Sequence, residues 1–459
     1  MKDYDVLVIG AGTAGLNAYR QAKAQGKTAA LIDGGPLGTT CARVGCMPSK
    51  LLISAANANH AVKKARMFGI ETADPVVNDE AVLKRVRFER DRFVGFVMEG
   101  IDNIPEEHLI REYAEFIDDH TVQLSGGRKL SAKTFVLAVG SRPRHVPILD
   151  GAEDLVLSSD HIFEIEKIPE RVAVFGPGVI GLELGQALSR LGADVRLFGR
   201  SGSIGGIRDP EIRDYATKAF AEEFYTDTKA TIHSVRKEGG KAIINYDHKE
   251  KGRIEESFDF ILTASGRVSN TDRLKLENTS IVLSHRKVPA YSNSTMQCGD
   301  SHFFIAGDAN DEIPLLHEAS DEGKIAGKNA ATFPKVDPGH RRTQLGIVFS
   351  DPEIASIGQS YESFDELVIG RVSFEGQGRS RVMGKNKGLM HLYAEKGDRR
   401  LRGAQIFGPS AEHLGHLIAW TVQQGLTVDQ ILEMPFYHPV IEEGLRTALQ
   451  DLQKELDQV

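Results

Sequence analysis

Two of the three cysteines in this chain of 459 residues, Cys41 and Cys46, have only four residues between them. In a chain so poor in cysteine, such a pair is more often redox-active or metal-binding than part of a secreted disulfide framework. Cα atoms five residues apart in a regular helix exceed the roughly 7 Å that a disulfide tolerates, so pairing requires a distortion, which Gly45 can supply. Lys50 would share the helix face of Cys46. Inert cysteines and half a zinc site remain alternatives, although the spacing is marginal for zinc and the sequence offers no partner cluster.

A second candidate pair, His438 and Glu443, lies toward the carboxyl end of the chain. A thiol with a pKa of about 8.5 is a weak nucleophile near pH 7, so thiol chemistry needs an acid–base group within reach. An imidazole held by a carboxylate keeps one tautomer and a pKa suited to that task. The alternative interpretation is that His438 merely begins a helix ahead of Pro439.

A glycine-rich turn near the amino end predicts a dinucleotide-binding unit. The apolar run at 6–9 indicates a strand, and Gly10, Gly12 and Gly15 follow it ahead of a helical stretch. A second apolar run then ends at Asp33. This order is the Rossmann fingerprint, in which the glycines admit a pyrophosphate and the helix start offers N–H groups and partial positive charge.

The same pattern recurs 166 residues later (176 − 10). The apolar run at 172–175 is followed by Gly176, Gly178 and Gly181 and by another helical stretch. One such turn is weak evidence, but two, each between a strand and a helix, predict two dinucleotides on one chain.

The repeat also bears on the identity of the second nucleotide. The offset places Gly199 where the first unit has Asp33, so the acid that would accept a ribose 2′-hydroxyl is missing. Arg200 follows, and a guanidinium favours a 2′-phosphate. Gly181, in contrast, is typical of NAD sites. The residues therefore leave NAD and NADP both open.

Composition narrows the class of protein. The formal net charge of −8 argues against a nucleic-acid partner, because such proteins usually carry a basic surface. No apolar run approaches the roughly 18 residues of a membrane helix, and the chain enters a strand at once rather than a signal peptide. We therefore expect a cytoplasmic enzyme with no membrane partner.

Taken together, the motifs resemble the class I pyridine nucleotide–disulfide oxidoreductases, which include dihydrolipoamide dehydrogenase, glutathione reductase and mercuric reductase. The resemblance covers essentially the whole chain. It rests on both glycine turns, Cys41-x4-Cys46 with Pro48-Ser49-Lys50, Gly266-Arg267, Gly307-Asp308 and His438-Pro439.

The resemblance implies an α/β fold with two Rossmann-like dinucleotide-binding domains and a C-terminal α+β dimerisation domain. The expected FAD-binding domain comprises residues 1–145 and 271–335. An NAD(P)-binding domain would occupy 146–270, and the dimerisation domain 336–459. In the last of these, strand-like runs alternate with helical stretches at 412–424, 428–433 and 440–456.

The resemblance also implies two cofactors, FAD and either NAD or NADP, and assigns residues to them. Gly10, Gly12 and Gly15 would bind the FAD pyrophosphate, and Asp33 the adenosine ribose. The remaining FAD residues would be Gly140, Asp308 at the ribityl chain, and His317 near the flavin. The second nucleotide would contact Gly176, Gly178, Gly181, Arg200, Gly266 and Arg267.

The catalytic roles follow from the same resemblance. Cys46 would face the flavin and Cys41 would exchange with the external disulfide, while Lys50 would lie near the flavin N5 and pair with Glu183. Without the motifs, Lys50 and Glu183 would read as two helix-surface charges. His438 would be the acid–base group, oriented by Glu443 and reaching the other subunit's site, so a homodimer is implied. No metal is expected.

The disulfide substrate is less determined. The resemblance is closest to dihydrolipoamide dehydrogenase, which implies a lipoyl group, carried on a protein or free. No cysteine follows Cys298, which disfavours mercuric reductase with its C-terminal cysteine pair. A glutathione reductase-like enzyme remains the alternative. Thr39, Ala42 and Arg43 depart from the common Gly-Thr-Cys-Leu-Asn pattern and leave room for an unusual low-molecular-weight disulfide.

Overall fold

A computed structural model describes residues 2–364 and 366–458. The strands are β1 (Lys2–Ile9), β2 (Ala29–Ile32), β3 (Leu109–Ile110), β4 (Ala114–Phe116), β5 (Thr121–Leu124), β6 (Lys129–Leu137), β7 (Ser141–Pro143), β8 (Val156–Ser158), β9 (Arg171–Phe175), β10 (Asp194–Phe198), β11 (Tyr225–Asp227), β12 (Ile232–Glu238), β13 (Lys241–His248), β14 (Gly252–Phe258), β15 (Phe260–Thr263), β16 (Arg267–Ser269), β17 (Phe303–Ile305), β18 (Leu345–Val348), β19 (Glu353–Gly358), β20 (Leu367–Ser373), β21 (Leu389–Glu395) and β22 (Leu401–Gly408).

The α-helices are α1 (Thr13–Ala24), α2 (Thr40–Val44), α3 (Cys46–Lys64), α4 (Asp79–Asp102), α5 (Val179–Arg190), α6 (Pro210–Ala221), α7 (Leu316–Thr332), α8 (Gly378–Val382), α9 (Ala411–Gln423), α10 (Val428–Leu432) and α11 (Glu443–Leu456). Within the described ranges, no helix is both long and apolar enough to cross a membrane.

The first compact unit is assembled from three stretches of chain: the described residues up to Pro48, Arg87–Arg144 and Arg267–Arg341. Its sheet has the order β3-β2-β1-β6-β5-β4, and β17 also pairs with β6. β1 runs parallel to β2 and β6, so its carboxyl end, where the first glycine turn begins, lies beside the ends of its neighbours. Residues 6–9 are almost fully buried, as expected of a parallel strand covered on both faces.

Helices α1 and α7 of this unit pack with their backbones in contact. A Cβ atom on Gly323 would lie 2.2 Å from the carbonyl oxygen of Ala14, and one on Gly327 would lie 2.3 Å from that of Ala18. Only glycine fits at these two positions, because any side chain would push the helices apart.

The second compact unit comprises Ser49–Val86, His145–Gly266 and the described residues from Arg342 onward. It contains a parallel sheet, β11-β10-β9-β15-β8, and a smaller antiparallel sheet, β12-β13-β14. A third sheet, β18-β19-β22-β21-β20, is antiparallel and packs against α9 and α11. The expected α/β class with two Rossmann-like units and a C-terminal α+β region is confirmed.

The chain passes between the two units after residues 48, 86, 144, 266 and 341. The last three positions lie close to the predicted boundaries at 145, 270 and 335, whereas residues 49–86, which were predicted to lie in the FAD-binding domain, belong to the second unit. The four-part division itself stays a prediction. The basic run at 84–90 lies on α4, where the Arg90 side chain is only 13% exposed and pairs with Asp91.

Candidate functional site

The first glycine turn connects β1 to α1 and leaves a cradle above the helix start. A Cβ atom on Gly10 would lie 2.2 Å from the carbonyl oxygen of Ala138, and one on Gly15 would lie 1.8 Å from that of Gly10. These two positions close the turn tightly. Among the described residues, a Cβ atom on Gly12 meets nothing within 4 Å and no side chain caps α1. The open space beside an uncapped helix start fits a pyrophosphate.

Asp33 is held at the carboxyl end of β2 by backbone groups. Its Oδ2 accepts a hydrogen bond from the Ala11 N–H at 2.7 Å, and its Oδ1 accepts one from the Gly35 N–H at 2.7 Å. Arg111 braces the same turn by donating to the carbonyl oxygens of Asp33 and Gly35. Each carboxylate oxygen retains a lone pair, so a ribose hydroxyl can still donate to it.

A hydrogen-bonded chain joins two further segments of the first unit. Ser141 Oγ donates to Asp308 Oδ2 at 2.9 Å, and Arg267 Nε donates to Ser141 Oγ at 2.8 Å. Gly140, with φ of +65°, makes the turn ahead of Ser141. These hydrogen bonds orient the Asp308 carboxylate. The role of Ser141 was not predicted from the sequence, although Ser141 directly follows Gly140.

The turn that carries Asp308 is anchored by Glu322, which sequence reasoning also missed. Its Oε2 accepts hydrogen bonds from the Gly307 N–H at 2.8 Å and from Asn310 Nδ2 at 2.9 Å. Burial raises the pKa of Glu322, which is 1% exposed. His317 lies in the first turn of α7, with a half-exposed side chain.

The two cysteines lie in different helices, separated by a break at Gly45. Cys41 is the second residue of α2, and Cys46 begins α3. Gly45 has φ and ψ near −115°, and a Cβ atom there would lie 3.2 Å from the Cα of Cys41. The distortion predicted at Gly45 is therefore confirmed. Cys41 is half-buried and Cys46 exposed.

The second glycine turn repeats the first in the second unit. A Cβ atom on Gly176 would lie 2.3 Å from the carbonyl oxygen of Ala264, and one on Gly181 would lie 1.9 Å from that of Gly176. In the part of the chain that the structure describes, Gly178 again faces open space and no side chain caps α5. Gly266, with φ of +99°, belongs to the turn that follows β15. This turn also fits a dinucleotide.

Packing explains why no acid occupies position 199. A Cβ atom on Gly199 would lie 2.6 Å from Pro177 Cγ and 2.9 Å from the carbonyl oxygen of Thr228. A carboxylate side chain therefore cannot be added there without displacing its neighbours. Arg200 follows with an exposed side chain. Lys229 lies close by, since its Cε would be 2.8 Å from a Cβ atom on Gly202.

Lys50 and Glu183 form an ion pair in the second unit. Lys50 Nζ donates to Glu183 Oε2 at 2.7 Å, and Glu183 Oε1 accepts a hydrogen bond from the Phe349 N–H at 2.9 Å. The ammonium also lies 4.6 Å from the centre of the Phe349 ring. The alternative of two helix-surface charges is wrong, because the Glu183 side chain is only 3% exposed.

His438, which precedes α11, is hydrogen-bonded to Glu443, the first residue of that helix. His438 Nδ1 lies 2.9 Å from Glu443 Oε1, and the Val440 N–H donates to Glu443 Oε2 at 3.2 Å. These hydrogen bonds, His438 first and then Val440, lower the pKa of Glu443. With Nδ1 held by the carboxylate, Nε2 is the outward nitrogen of an imidazole that is 80% exposed. Such an imidazole can take and return a proton.

The first unit thus contains the first glycine turn, Asp33, both cysteines of the pair and Asp308. The second unit contains the second glycine turn, the Lys50–Glu183 ion pair, the His438–Glu443 pair and Arg200. The fold and its two dinucleotide turns define a two-nucleotide oxidoreductase. The chain belongs to the pyridine nucleotide-disulphide oxidoreductase family, whose model matches residues 4–323, and the dimerisation domain of that family matches residues 345–449.

Curated relatives of different activities are about equally similar. A mercuric reductase from Staphylococcus aureus is 29% identical, with 100% of this chain and 84% of the relative covered. A dihydrolipoyl dehydrogenase from Haloferax volcanii is 28% identical, with 97% and 96% covered. The structure of the HOCl-induced flavoprotein disulfide reductase RclA from Escherichia coli matches with a TM-score of 0.80 at 19% identity, covering 98% of this chain and 99% of that one.

Family membership establishes the cofactors and the general reaction. Members bind FAD and NAD(P), and both glycine turns fit these dinucleotides. The chain is an enzyme of the disulfide oxidoreductase family. Its dimerisation domain supports a homodimer.

Proposed function

We propose that this enzyme transfers electrons between a lipoyl-type dithiol or disulfide and a nicotinamide nucleotide, as a dihydrolipoamide dehydrogenase does. The main observation that supports this proposal is the His438–Glu443 pair. The 2.9 Å hydrogen bond between His438 Nδ1 and Glu443 Oε1 leaves Nε2 of an exposed imidazole available as a base. The break at Gly45 supports a redox pair of Cys41 and Cys46, because it removes the helical geometry that would keep them apart.

In the dithiol-oxidising direction, His438 of one subunit takes a proton from a substrate thiol at the cysteine pair of the other subunit. The thiolate attacks the Cys41 sulfur of the Cys41–Cys46 disulfide, and Cys46 leaves as a thiolate. His438 passes this first proton to solvent and takes the proton of the second substrate thiol, whose sulfur then attacks the substrate sulfur of the mixed disulfide. This attack releases the cyclic disulfide, and Cys41 takes the proton held by His438. Bound FAD supplies the two-electron step between the reduced cysteines and the nicotinamide nucleotide.

Lys50 serves this reaction as a fixed positive charge. A single lysine on an exposed helix face would swing freely, but here the buried Glu183 and the Phe349 ring hold the ammonium in one place. A fixed cation stabilises negative charge that develops near it without further reorganisation. We assign Lys50 to the flavin side of the cysteine pair and Glu183 to its support.

For the second nucleotide, we propose that the enzyme accepts NADP(H). With glycine at position 199, no carboxylate is present to repel a 2′-phosphate. The close packing of Gly199 against Pro177 also disfavours a carboxylate side chain at this position. Arg200 and Lys229 supply positive charge next to that position. A strict preference for NAD(H) would contradict the assignment.

Reduction of a low-molecular-weight disulfide by NADPH, as in glutathione reductase, is the second candidate. Arg43 favours it, since this cation lies between the two cysteines of the pair and no hydrogen bond or ion pair engages its guanidinium among the described residues. An unengaged cation would favour a substrate that carries carboxylates. For either substrate we place the enzyme in the cytoplasm, where a reducing environment suits a chain with three cysteines.

Steady-state assays with lipoamide, dihydrolipoamide and glutathione disulfide, each with NAD(H) and NADP(H), test the proposal. We expect turnover of the lipoyl substrates with a higher kcat/KM than that of glutathione disulfide. The reverse order would establish the second candidate.

Two variants test the roles of the residues. Cys46→Ser should keep FAD and lose disulfide turnover. His438→Ala should slow thiol–disulfide exchange by about 10²–10⁴-fold while flavin reduction by the nucleotide continues. His413→Ala, which changes another exposed histidine, is the matched control. If flavin reduction slowed as much as exchange, the acid–base role of His438 would be wrong.

A further inference from the structure

Three polar side chains, Asp209, His391 and Tyr393, form a buried cluster in the second unit, each 1–2% exposed. Asp209 Oδ2 accepts hydrogen bonds from His391 Nδ1 at 2.7 Å and from the Tyr393 hydroxyl at 2.9 Å. Its Oδ1 accepts from the backbone N–H groups of Glu211 and Ile212 and thereby caps α6. A buried carboxylate this well satisfied holds its position firmly, because breaking any of these bonds in the interior is costly.

The cluster terminates the segment 199–208, which we call the coenzyme loop because it begins at Gly199 and Arg200. The loop is tied to the glycine turn by the Gly205 N–H, which donates to the carbonyl oxygen of Pro177 at 2.8 Å. Two of its side chains, Ile204 and Ile207, are buried. The loop is therefore an ordered connection between β10 and the capped start of α6.

The support for the far end of the loop comes from the C-terminal sheet rather than from the Rossmann sheet. His391 and Tyr393 both belong to β21. The backbone N–H of Arg208 donates a long hydrogen bond, 3.4 Å, to Gln405 Oε1 of β22. A Cβ atom on Gly205 would lie 2.3 Å from Ile354 of β19, which shows how closely the loop lies against that sheet. The conformation of the loop thus depends on side chains about 190 positions farther along the chain (391 − 200).

We propose that the Asp209–His391–Tyr393 cluster is a positioning device that holds the coenzyme loop, and with it Arg200, in the conformation that binds the nicotinamide nucleotide. This inference rests on the proposed nucleotide role of the loop. None of the three side chains acts on substrate or cofactor; each acts through Asp209 and the backbone that leads to it.

Tyr393→Phe is the test variant, because it removes one hydrogen bond to Asp209 and leaves the aromatic ring in the core. We expect the KM for NADPH to rise about 3- to 10-fold, with kcat and the KM for lipoamide unchanged. The effect should shrink or vanish in the Arg200→Ala background, since a residue that acts by positioning Arg200 contributes nothing once that side chain is gone.

Tyr246→Phe is the matched control. Tyr246 is also fully buried, and its hydroxyl also donates to a carboxylate, Glu256 Oε2, at 2.6 Å, but it belongs to the sheet of β12–β14. We expect this variant to lose a similar amount of thermal stability without a change in the KM for NADPH.

Each outcome decides a separate point. If Tyr393→Phe leaves the KM for NADPH unchanged, or changes it no more than Tyr246→Phe does, the positioning role is wrong. A rise in KM that persists undiminished in the Arg200→Ala background also contradicts positioning of Arg200. If Arg200→Ala alone has no effect while Tyr393→Phe still raises the KM, the 2′-phosphate assignment fails but the cluster remains a support of the nucleotide site.

Discussion

The two glycine turns have nearly the same backbone and differ where the next strand ends. Gly10 and Gly176 have φ of +106° and +112°, and in both turns the third glycine would place a Cβ within 2 Å of a carbonyl oxygen of the first. At the end of the following strand, however, the first unit has Asp33, held by two backbone N–H groups, and the second has Gly199, packed against Pro177.

This difference separates two tasks of a Rossmann unit, the binding of the pyrophosphate and the recognition of the adenosine ribose. The turn and the helix start bind a pyrophosphate, which is common to both dinucleotides, so their geometry is duplicated. In Rossmann units the residue after the second strand faces the adenosine ribose, whose 2′-position carries a hydroxyl in FAD and NAD and a phosphate in NADP. Variants at matched positions in the two turns can therefore distinguish scaffold from specificity.

The largest expected effect comes from the third glycine of each turn. Gly15→Ala should abolish FAD binding and all activity, because the Cβ would lie 1.8 Å from the carbonyl oxygen of Gly10. Gly181→Ala should keep the flavin but slow its reduction by NAD(P)H by about 100-fold or more, equivalent to about 2.8 kcal/mol. The flavin-to-protein ratio and stopped-flow flavin reduction measure the two effects.

The control for both substitutions is Gly95→Ala on α4, where a Cβ meets nothing within 4 Å. It should change neither flavin content nor the rate of flavin reduction. If Gly181→Ala also lost its flavin, the assignment of one turn to each nucleotide would be contradicted.

Asp33→Asn should have the next largest effect. An amide NH₂ would replace one carboxylate oxygen and face either the Ala11 N–H or the Gly35 N–H, which then lacks an acceptor. Losing charge-assisted contacts of this kind should weaken FAD binding by about 10- to 100-fold. Flavin retained after dialysis against KBr measures it, and flavin that stays bound should still be reduced by the nucleotide at the normal rate.

Arg200→Ala should have a smaller and selective effect. We expect the kcat/KM for NADPH to fall about 10-fold while that for NADH stays within about 2-fold, because an exposed guanidinium contact with the 2′-phosphate would be lost. Arg208→Ala, at the other end of the coenzyme loop, should affect both nucleotides equally. Equal losses in Arg200→Ala would remove the proposed difference between the two turns.

The smallest effect is expected at the middle glycines. Gly12 and Gly178 have extended backbones, and a Cβ at either position meets nothing within 4 Å. Alanine at either site should change the free energy of unfolding of the ligand-free protein by no more than about 0.5 kcal/mol. Denaturant titration of the apoprotein checks this, and a large loss would show that these glycines serve the fold as well as the ligand.

The sequence predicted the strands beside both turns well, and the reason is physical. Strands of a buried parallel sheet are continuous apolar runs, so residues 6–9 and 172–175 were recognisable without any tertiary information. The antiparallel sheet of β12–β14 was not predicted from the sequence. Its hairpin signal, Gly239-Gly240 with positive φ at both positions, was present.

Contacts between residues far apart in sequence were not predictable from motifs. The missing acid at position 199 was evident from the repeat, but its cause, the close approach of Pro177 and Thr228, required the structure. The same holds for Ser141 beside Asp308 and for Glu322 beneath Gly307. Each of these side chains lies on a separate element, and no spacing rule connects them.

The assembly of the first unit from three stretches of chain has a consequence for biosynthesis. A ribosome releases β1 and β6 well before it makes β17, which pairs with β6, and α7, which packs on α1. Until residue 332 has emerged, the edge of β6 that pairs with β17 and the face of α1 that packs against Gly323 and Gly327 of α7 stay uncovered. Exposed apolar surface and unpaired strands promote aggregation. This unit therefore depends on the late-made segment, and truncation anywhere before α7 should yield insoluble chains rather than a smaller flavoprotein.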